Sequence, residues 1–398
     1  MHHSPAPTVA PIPRGVWLLG LVSLCMDLSS ELIHSILPLF IVTTLGASPM
    51  VLGLLEGLAE ATAALVKAVS GGLSDWLGRR KPLVLLGYGL SALTKPLFPL
   101  ASSIGMVFTA RLLDRVGKGI RGAPRDALLT DLTPATLRGA GFGLRQSLDS
   151  IGALLGPLLA MGLLACFTDD VRLVLWVAVV PALLAVLLLL AVKEPPQPAS
   201  APEPPVKDTA PTGRWRALPT AFWAVTGFAL LLTLARFSEA FLLLRGNSLG
   251  LPIAWAPAVM VAMNLAYVLS SYPAGRLSDR IGRRWLVAMG CLLLLAADAM
   301  LALADGWWLL FGGALLWGMH MGLTEGVLSA MVADTAPAAL RGTAFGLFRL
   351  TTGIALLAAS LIAGALWEWV GPAATFMAGA LCTALALLVL LRLRPGAG

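Results

Sequence analysis

The stretch Gly71-Gly72-Leu73-Ser74-Asp75-Trp76-Leu77-Gly78-Arg79-Arg80 returns later in the chain as Gly275-Arg276-Leu277-Ser278-Asp279-Arg280-Ile281-Gly282-Arg283-Arg284, each copy between two long apolar runs. A second pair of segments keeps the same register. Asp131-Leu132-Thr133-Pro134, followed by Leu137-Arg138-Gly139 and Phe142-Gly143-Leu144, recurs as Asp334 to Pro337, Leu340-Arg341-Gly342 and Phe345-Gly346-Leu347. Asp75 to Asp279 is 204 positions and Asp131 to Asp334 is 203, so the two halves align almost without gaps. Whatever one half folds into, the other must fold into as well.

The apolar runs decide the solvent. With 58% hydrophobic residues, 12% charged residues and a mean hydropathy of +0.85 over 398 residues, the chain carries more apolar surface than a soluble fold of that length can bury. The net charge of +7 would suggest nucleic acid in a soluble protein, but in a bilayer the positions of the cations matter more than their sum. Cysteines 25, 166, 291 and 382 have no paired spacing and read as small core hydrophobes, not as a disulfide frame or a metal site. Residues 1–15 are Pro-rich without an apolar core, so no cleavable signal peptide is expected, and His2 and His3 are assigned no role.

Runs of about 20 residues, the length that crosses the hydrocarbon core, fall at about 16–41, 51–73, 83–102, 104–130, 139–163 and 171–192, then at 218–244, 252–275, 285–303, 306–332, 343–365 and 371–392. The expected organisation is a tail 1–15, a six-helix bundle 16–192, a Pro-rich linker 193–217, a second six-helix bundle 218–392 and a tail 393–398. Placing residue 1 in the cytoplasm puts Arg14, Arg79, Arg80, Lys81, Arg138, Lys193, Lys207, Arg214, Arg216, Arg276, Arg280, Arg283, Arg284, Arg341, Arg392 and Arg394 on that side. The opposite loops then hold Arg172 and Arg245. Both termini are therefore expected inside a bacterial inner (plasma) membrane. Parallel halves of this size are the sequence sign of a transporter that rocks one half against the other.

A duplicated six-plus-six bundle with G-x-L-S-D-x-x-G-R-R in the loops after spans 2 and 8 resembles the major facilitator superfamily over essentially the whole chain. The first copy departs at Trp76, where the family has a basic residue, and the second keeps Arg280. The resemblance implies an all-α integral membrane fold of twelve transmembrane helices in two pseudo-symmetric bundles. Physically, a helix-end aspartate can pair with arginines of a neighbouring helix, which makes Asp75, Arg79, Arg80, Asp279, Arg283 and Arg284 a candidate conformational latch. The competing reading is that these cations only enforce topology. Arg115-Val116-Gly117-Lys118-Gly119 is similar to the family's R-x-x-x-G element, linked there to proton handling, with Lys118 where glutamine is common. Gly152, Gly156 and Pro157 resemble the G-x-x-x-G-P motif of export-type antiporters, with Ala160-Met161 replacing its trailing glycines. Simple helix packing would also account for small residues at this spacing. Further segments, among them Met26-Asp27-Leu28-Ser29-Ser30-Glu31 and Leu323-Thr324-Glu325-Gly326, are similar to a bacterial and archaeal permease and efflux branch whose substrate the resemblance does not fix.

An ionisable side chain at the bilayer centre costs roughly 2.5–3.5 kcal/mol on insertion scales, and this chain keeps many. Asp27, Glu31 and His34 follow at i, i+4 and i+7 and share one face of span 1. They suit a proton site or a cation-binding face. Arg111, Arg115, Lys118, Arg121 and Arg125 form a basic stripe on span 4, which either binds an anionic substrate or is matched by Glu56, Glu60, Asp114, Asp126 and Asp149 in buried salt bridges. Span 7 offers Arg236 and Glu239 at i and i+3 as a self-neutralised pair, and span 10 offers His320 and then Glu325, an acid without a basic neighbour on its own helix.

These readings converge on a secondary transporter working by alternating access, a proton-coupled antiporter exporting a small organic solute. Asp27, Glu31 and Glu325 are the candidates for proton coupling, and His34, Arg115, Lys118, Arg121, Arg236, Glu239 and His320 for substrate binding. The alternative within transport is a divalent transition-metal exporter using Asp27, Glu31, His34, His320 and Glu325. A non-transporting membrane sensor or scaffold is the alternative of another class. An enzyme is not expected, because a phosphate-binding Gly-rich loop, a His-Glu-x-x-His motif and a nucleophile elbow are all missing from the sequence. Expected partners are a small-molecule substrate, protons and lipid, without nucleic acid or cofactor, and a monomer follows from the resemblance.

Overall fold

The computed structural model describes residues 12–77, 79–134, 137–194, 217–337 and 340–392; within its helices the side chains of 71, 72, 75, 76, 139, 272, 275, 276, 278–280, 341 and 342 lie outside the description. The described chain is helical throughout, without a strand. Twelve passes follow one another. In the first half they are α1 (Arg14–Leu39, closing in a π-turn Phe40–Thr44), α2 (Pro49–Leu77), α3 (Lys81–Thr94, continued by Leu97–Leu100), α4 (Ile104–Leu132), α5 (Arg138–Cys166) and α6 (Val171–Val177 with Val179–Ala191). The second half repeats the order: α7 (Thr220–Ala235 with Ala240–Ser248), α8 (Pro257–Ile281), α9 (Arg283–Leu303), α10 (Trp307–Thr335), α11 (Arg341–Trp369) and α12 (Pro372–Arg392).

Ten of these passes are long and apolar enough to cross a membrane by length and composition. The two outside that set are α4 and α10, each 29 residues long. They hold the same position in the two halves; α4 is the most polar pass, carrying Arg111, Asp114, Arg115, Lys118, Arg121, Arg125 and Asp126, whereas α10 falls short through its Trp and Gly residues.

The main packing contacts of one half have their counterparts in the other. α1 lies against α5 and α6 as α7 lies against α11 and α12, and α4 lies against α2 and α3 as α10 lies against α8 and α9. The halves meet through α2 with α11 and α5 with α8, contacts that the internal repeat exchanges. Along α2, Gly53 and Gly57 let α11 approach so closely that a Cβ on Gly53 would stand 2.2 Å from the Ser360 carbonyl oxygen and one on Gly57 2.9 Å from the Leu357 Cα. Further out, the Met50 amide donates to Glu368. Counting passes from Arg14, this seam lies toward the membrane face opposite the termini. Small residues are how helices reach this separation in lipid, where packing replaces the hydrophobic effect.

Expected spans and observed helices agree closely, with one correction. Span 7 was expected as one helix over about 218–244, but α7 unwinds at Arg236–Glu239 between Ala235 and Ala240. Unwound backbone within a bilayer is tolerated only where protein or a water-filled cavity satisfies it. Here the Ser238 amide donates to the Ser360 side chain at 3.2 Å.

Candidate functional site

A cavity of about 560 Å³ lies between the halves at mid-membrane. The first half contributes Glu31 and His34 from α1, Glu56 and Glu60 from α2, and Arg115 and Lys118 from α4. The second contributes Arg236 and Glu239 from the break in α7, Glu325 from α10, and Arg349 and Ser360 from α11.

On the first-half wall, His34 stands between two acids, its Nδ1 3.4 Å from Glu31 and its Nε2 3.6 Å from Glu56. Arg111 donates to Glu56 at 2.8 Å, and Arg115 lies 3.2 Å from Glu60. Behind this wall Lys95 bridges Asp114 and Ser30 at 3.0 Å each. On the opposite wall Arg236 donates to Glu325 Oε1 at 2.8 Å and Tyr267 donates to Oε2 at 3.2 Å. The self-neutralised pair expected within span 7 is thus replaced by one between helices. Unwinding moves Arg236 off the helical face it would share with Glu239, and α10 presents the acid.

Exposure separates the two arginine pairs. Arg111 and Glu56 are each 2% exposed, whereas Arg236 and Glu325 are 27% and 35% exposed. Removing one member of a buried pair costs about 3–5 kcal/mol, because a charge is left stranded. A water-facing pair is worth about 0–1 kcal/mol and can be exchanged for another partner. Arg111–Glu56 therefore holds the wall, and Arg236–Glu325 is free to change partners. The side chains of Lys118, Glu239 and Arg349 face the cavity without a hydrogen bond or ion pair to a described residue.

Several expected site residues stand elsewhere. Arg121 faces α3, donating to Ser91 at 2.6 Å with its guanidinium 4.6 Å from the centre of the Tyr88 ring, so it does not line the cavity. His320 is fully buried with Nδ1 2.9 Å from the Gly290 carbonyl on α9, behind the cavity wall. Asp27 lies one turn beyond the cavity, where α5 crosses α1: a Cβ on Gly152 would fall 3.2 Å from Asp27 Cβ and one on Gly156 2.9 Å from Glu31 Cβ. The five residues of the metal alternative are therefore not brought together. The basic stripe divides in the same way. Arg115 and Lys118 reach the cavity, Arg125 pairs with Asp126 at 3.3 Å, and Asp149 is taken by Arg145 at 2.7 Å.

Of the latch candidates, Asp75 and Asp279 have side chains outside the described set. Arg80 lies 3.6 Å from Asp131, and Arg283 pairs with Asp334. The two repeated sequence motifs thus meet each other in space, once in each half. Both pairs are internal to a half. Arg284 donates to the Leu391 carbonyl, and Arg79 is exposed. The sequence reading missed Tyr267, Ser360 and the Gly53–Gly57 seam. The two glycines at i, i+4 on span 2 were the one visible signal.

Fold and cavity together define a two-bundle membrane transporter. The family model of the Major Facilitator Superfamily matches residues 19–264 and 240–398. The chain is 33% identical over 390 residues to an MFS-type transporter of Methanocaldococcus jannaschii, spanning 96% of this chain and 95% of that one. It is 26% identical over 320 residues to the class H tetracycline resistance protein of Pasteurella multocida, spanning 75% and 76%. Among solved structures, a variant of the nucleoside transporter NupG superposes with a TM-score of 0.82 at 14% identity, over 96% of this chain and 100% of that one. The chain belongs to the major facilitator superfamily and is a multi-pass membrane transporter, not an enzyme.

Proposed function

We propose that this protein is a proton-coupled antiporter that exports a small organic solute by alternating access, with both termini in the cytoplasm of a bacterial plasma membrane. The observation that carries the reading is the water-facing Arg236–Glu325 pair at the break in α7. A proton and a basic group of the solute compete for the Glu325 carboxylate, and either of them displaces Arg236 from it. Competition for one site is what makes two fluxes exchange instead of adding. A cavity of about 560 Å³ falls in the range typical of organic ligands, roughly 300–1,000 Å³, and is far larger than a bare ion needs. Lys118, Arg349 and Glu239, each without a partner among the described residues, are left for the polar groups of the solute, with Glu31 and His34 as a second place for the proton. The relative named for tetracycline resistance favours export as the direction. Arg80–Asp131 and Arg283–Asp334, which fasten each motif loop to the end of α4 or α10, serve in this reading as latches of the conformation closed opposite the termini.

The test is purified protein in liposomes enclosing a pH-sensitive dye, with a proton gradient imposed and a panel of organic anions, cations and zwitterions added. At least one solute should dissipate the gradient, and Glu325→Gln should reduce that flux more than tenfold. Solute movement with no proton movement would sink the coupling, and full flux in Glu325→Gln would remove Glu325 from it.

A further inference from the structure

Outside the cavity, α9 carries one acid whose surroundings the transport reading does not use. Asp298 is 0% exposed, and neither of its carboxylate oxygens has a hydrogen-bond partner among the described residues. It points at Gly379 of α12, where a Cβ would stand 2.8 Å from Asp298 Oδ2 and 3.1 Å from the Ala235 carbonyl oxygen. Ala235 ends the first segment of α7, and no backbone amide of the described chain pairs with its carbonyl, because the helix unwinds at the next residue. An orphaned acid and an orphaned carbonyl therefore flank the same glycine. Gly379 also borders a second, largely apolar cavity of about 90 Å³, lined by Leu234, Phe237, Ile362 and Leu366 among others, which Asp298 itself does not line. Phe237 also lines the central cavity, so one side chain forms the partition between the two.

An ionised carboxylate without a donor is among the most costly groups to bury. The ionisable groups at mid-membrane on the helices around it are Cys382 on α12, His320 and Glu325 on α10, Arg236 and Glu239 on α7, Tyr267 on α8 and Cys291 on α9 itself. None of them hydrogen-bonds to or ion-pairs with Asp298. A neutral acid, by contrast, brings a donor to a place where a carbonyl acceptor is already free.

We propose that Asp298 is a second proton site, protonated in the conformation seen here and exchanging its proton with the central cavity past Phe237 as α7 changes its bend. Held as the acid, its O–H donates to the Ala235 carbonyl once the α7 end moves within hydrogen-bond reach. When Phe237 moves aside, water entering from the central cavity takes the proton as the O–H bond breaks, and the same water hydrates the carboxylate left behind. The protonation stands on the geometry alone; its part in coupling rests on the proton-antiport reading above.

Infrared difference spectra of the full chain in detergent, in H₂O and D₂O, test the protonation without any transport substrate. Wild type minus Asp298→Asn should show a carboxylic-acid C=O band at neutral pH that shifts in D₂O. Phe237→Ala should speed that shift at least tenfold by opening the partition. Gly379→Ala, which presses a methyl group against the carboxyl, should move the band and serves if Asp298→Asn does not fold. Absence of the band in the wild type would overturn the proposal. So would a sodium-dependent rise in melting temperature that Asp298→Asn abolishes, which would make the site a metal-cation site. In liposomes Asp298→Asn should retain solute-induced stabilisation while losing at least tenfold in gradient-driven flux. A normal acid band with undiminished flux would leave Asp298 protonated but overturn its part in coupling, whereas loss of proton movement in every variant and the wild type alike would strike the antiport reading instead.

Discussion

Arg111 and Arg236 are the same kind of residue paired with the same kind of partner at the same 2.8 Å, yet they are expected to behave differently when removed. Arg111→Ala strands Glu56 at 2% exposure and should lower stability by about 3–5 kcal/mol, read as a large drop in the melting temperature of the purified protein. Arg236→Ala leaves Glu325 facing water, so stability should change by no more than about 1 kcal/mol while proton-driven flux is lost. Equal melting temperatures for the two variants would contradict the division of the site into a wall and an exchangeable pair. The individual charges were visible in the sequence, because bilayer cost makes any intramembrane ion conspicuous. Their partners were not. Glu325 lacks a basic neighbour on α10 because its neighbour comes from α7, 89 positions earlier in the chain, and only the break in that helix aims it.

At the level of helices, the seam between α2 and α11 is expected to control which face is closed. Ser360 takes part twice: its carbonyl packs on Gly53, and its hydroxyl receives the Ser238 amide at the break in α7. Gly53→Ala would place a Cβ 2.2 Å from the Ser360 carbonyl oxygen and must separate the helices. Spin labels at Thr44→Cys and Trp369→Cys, both exposed on the side opposite the termini, should report a longer distance in Gly53→Ala than in the parent. An unchanged distance would remove the seam from the closure. The crossing of α5 over α1 is a second packing contact of this sort. A Cβ on Gly152 would lie 2.6 Å from the Leu24 carbonyl oxygen, so Gly152→Ala should destabilise by about 1–3 kcal/mol and displace Asp27. The motif glycines stand at this crossing, where they let α5 lie on the stretch of α1 that carries Asp27 and Glu31.

Across the whole molecule, duplication governs what to expect of paired mutations. Asp131→Asn and Asp334→Asn remove equivalent ion pairs, one from each half, at residues 37% and 60% exposed. Each should change stability by no more than about 1 kcal/mol, and both should shift the balance of conformations in the same direction in the labelled protein. Opposite shifts would end the idea that the two motif loops act as one latch system. The repeat itself, the twelve passes and the membership of the two bundles followed from the sequence alone, because length and hydropathy are local properties and a duplicated pattern is read by comparing the chain with itself. Even α4, the most polar span, was recognisable as a pass because α10 answers to it in the other half. Tertiary structure alone decided which charges neutralise one another, that α7 is broken at Arg236–Glu239, that His320 and Arg121 turn away from the cavity, and that Asp298 is left without a partner. Those outcomes depend on the angle and separation of helices distant in sequence. A change of one helical position, about 100° of rotation, carries a side chain from the cavity to the packed interface.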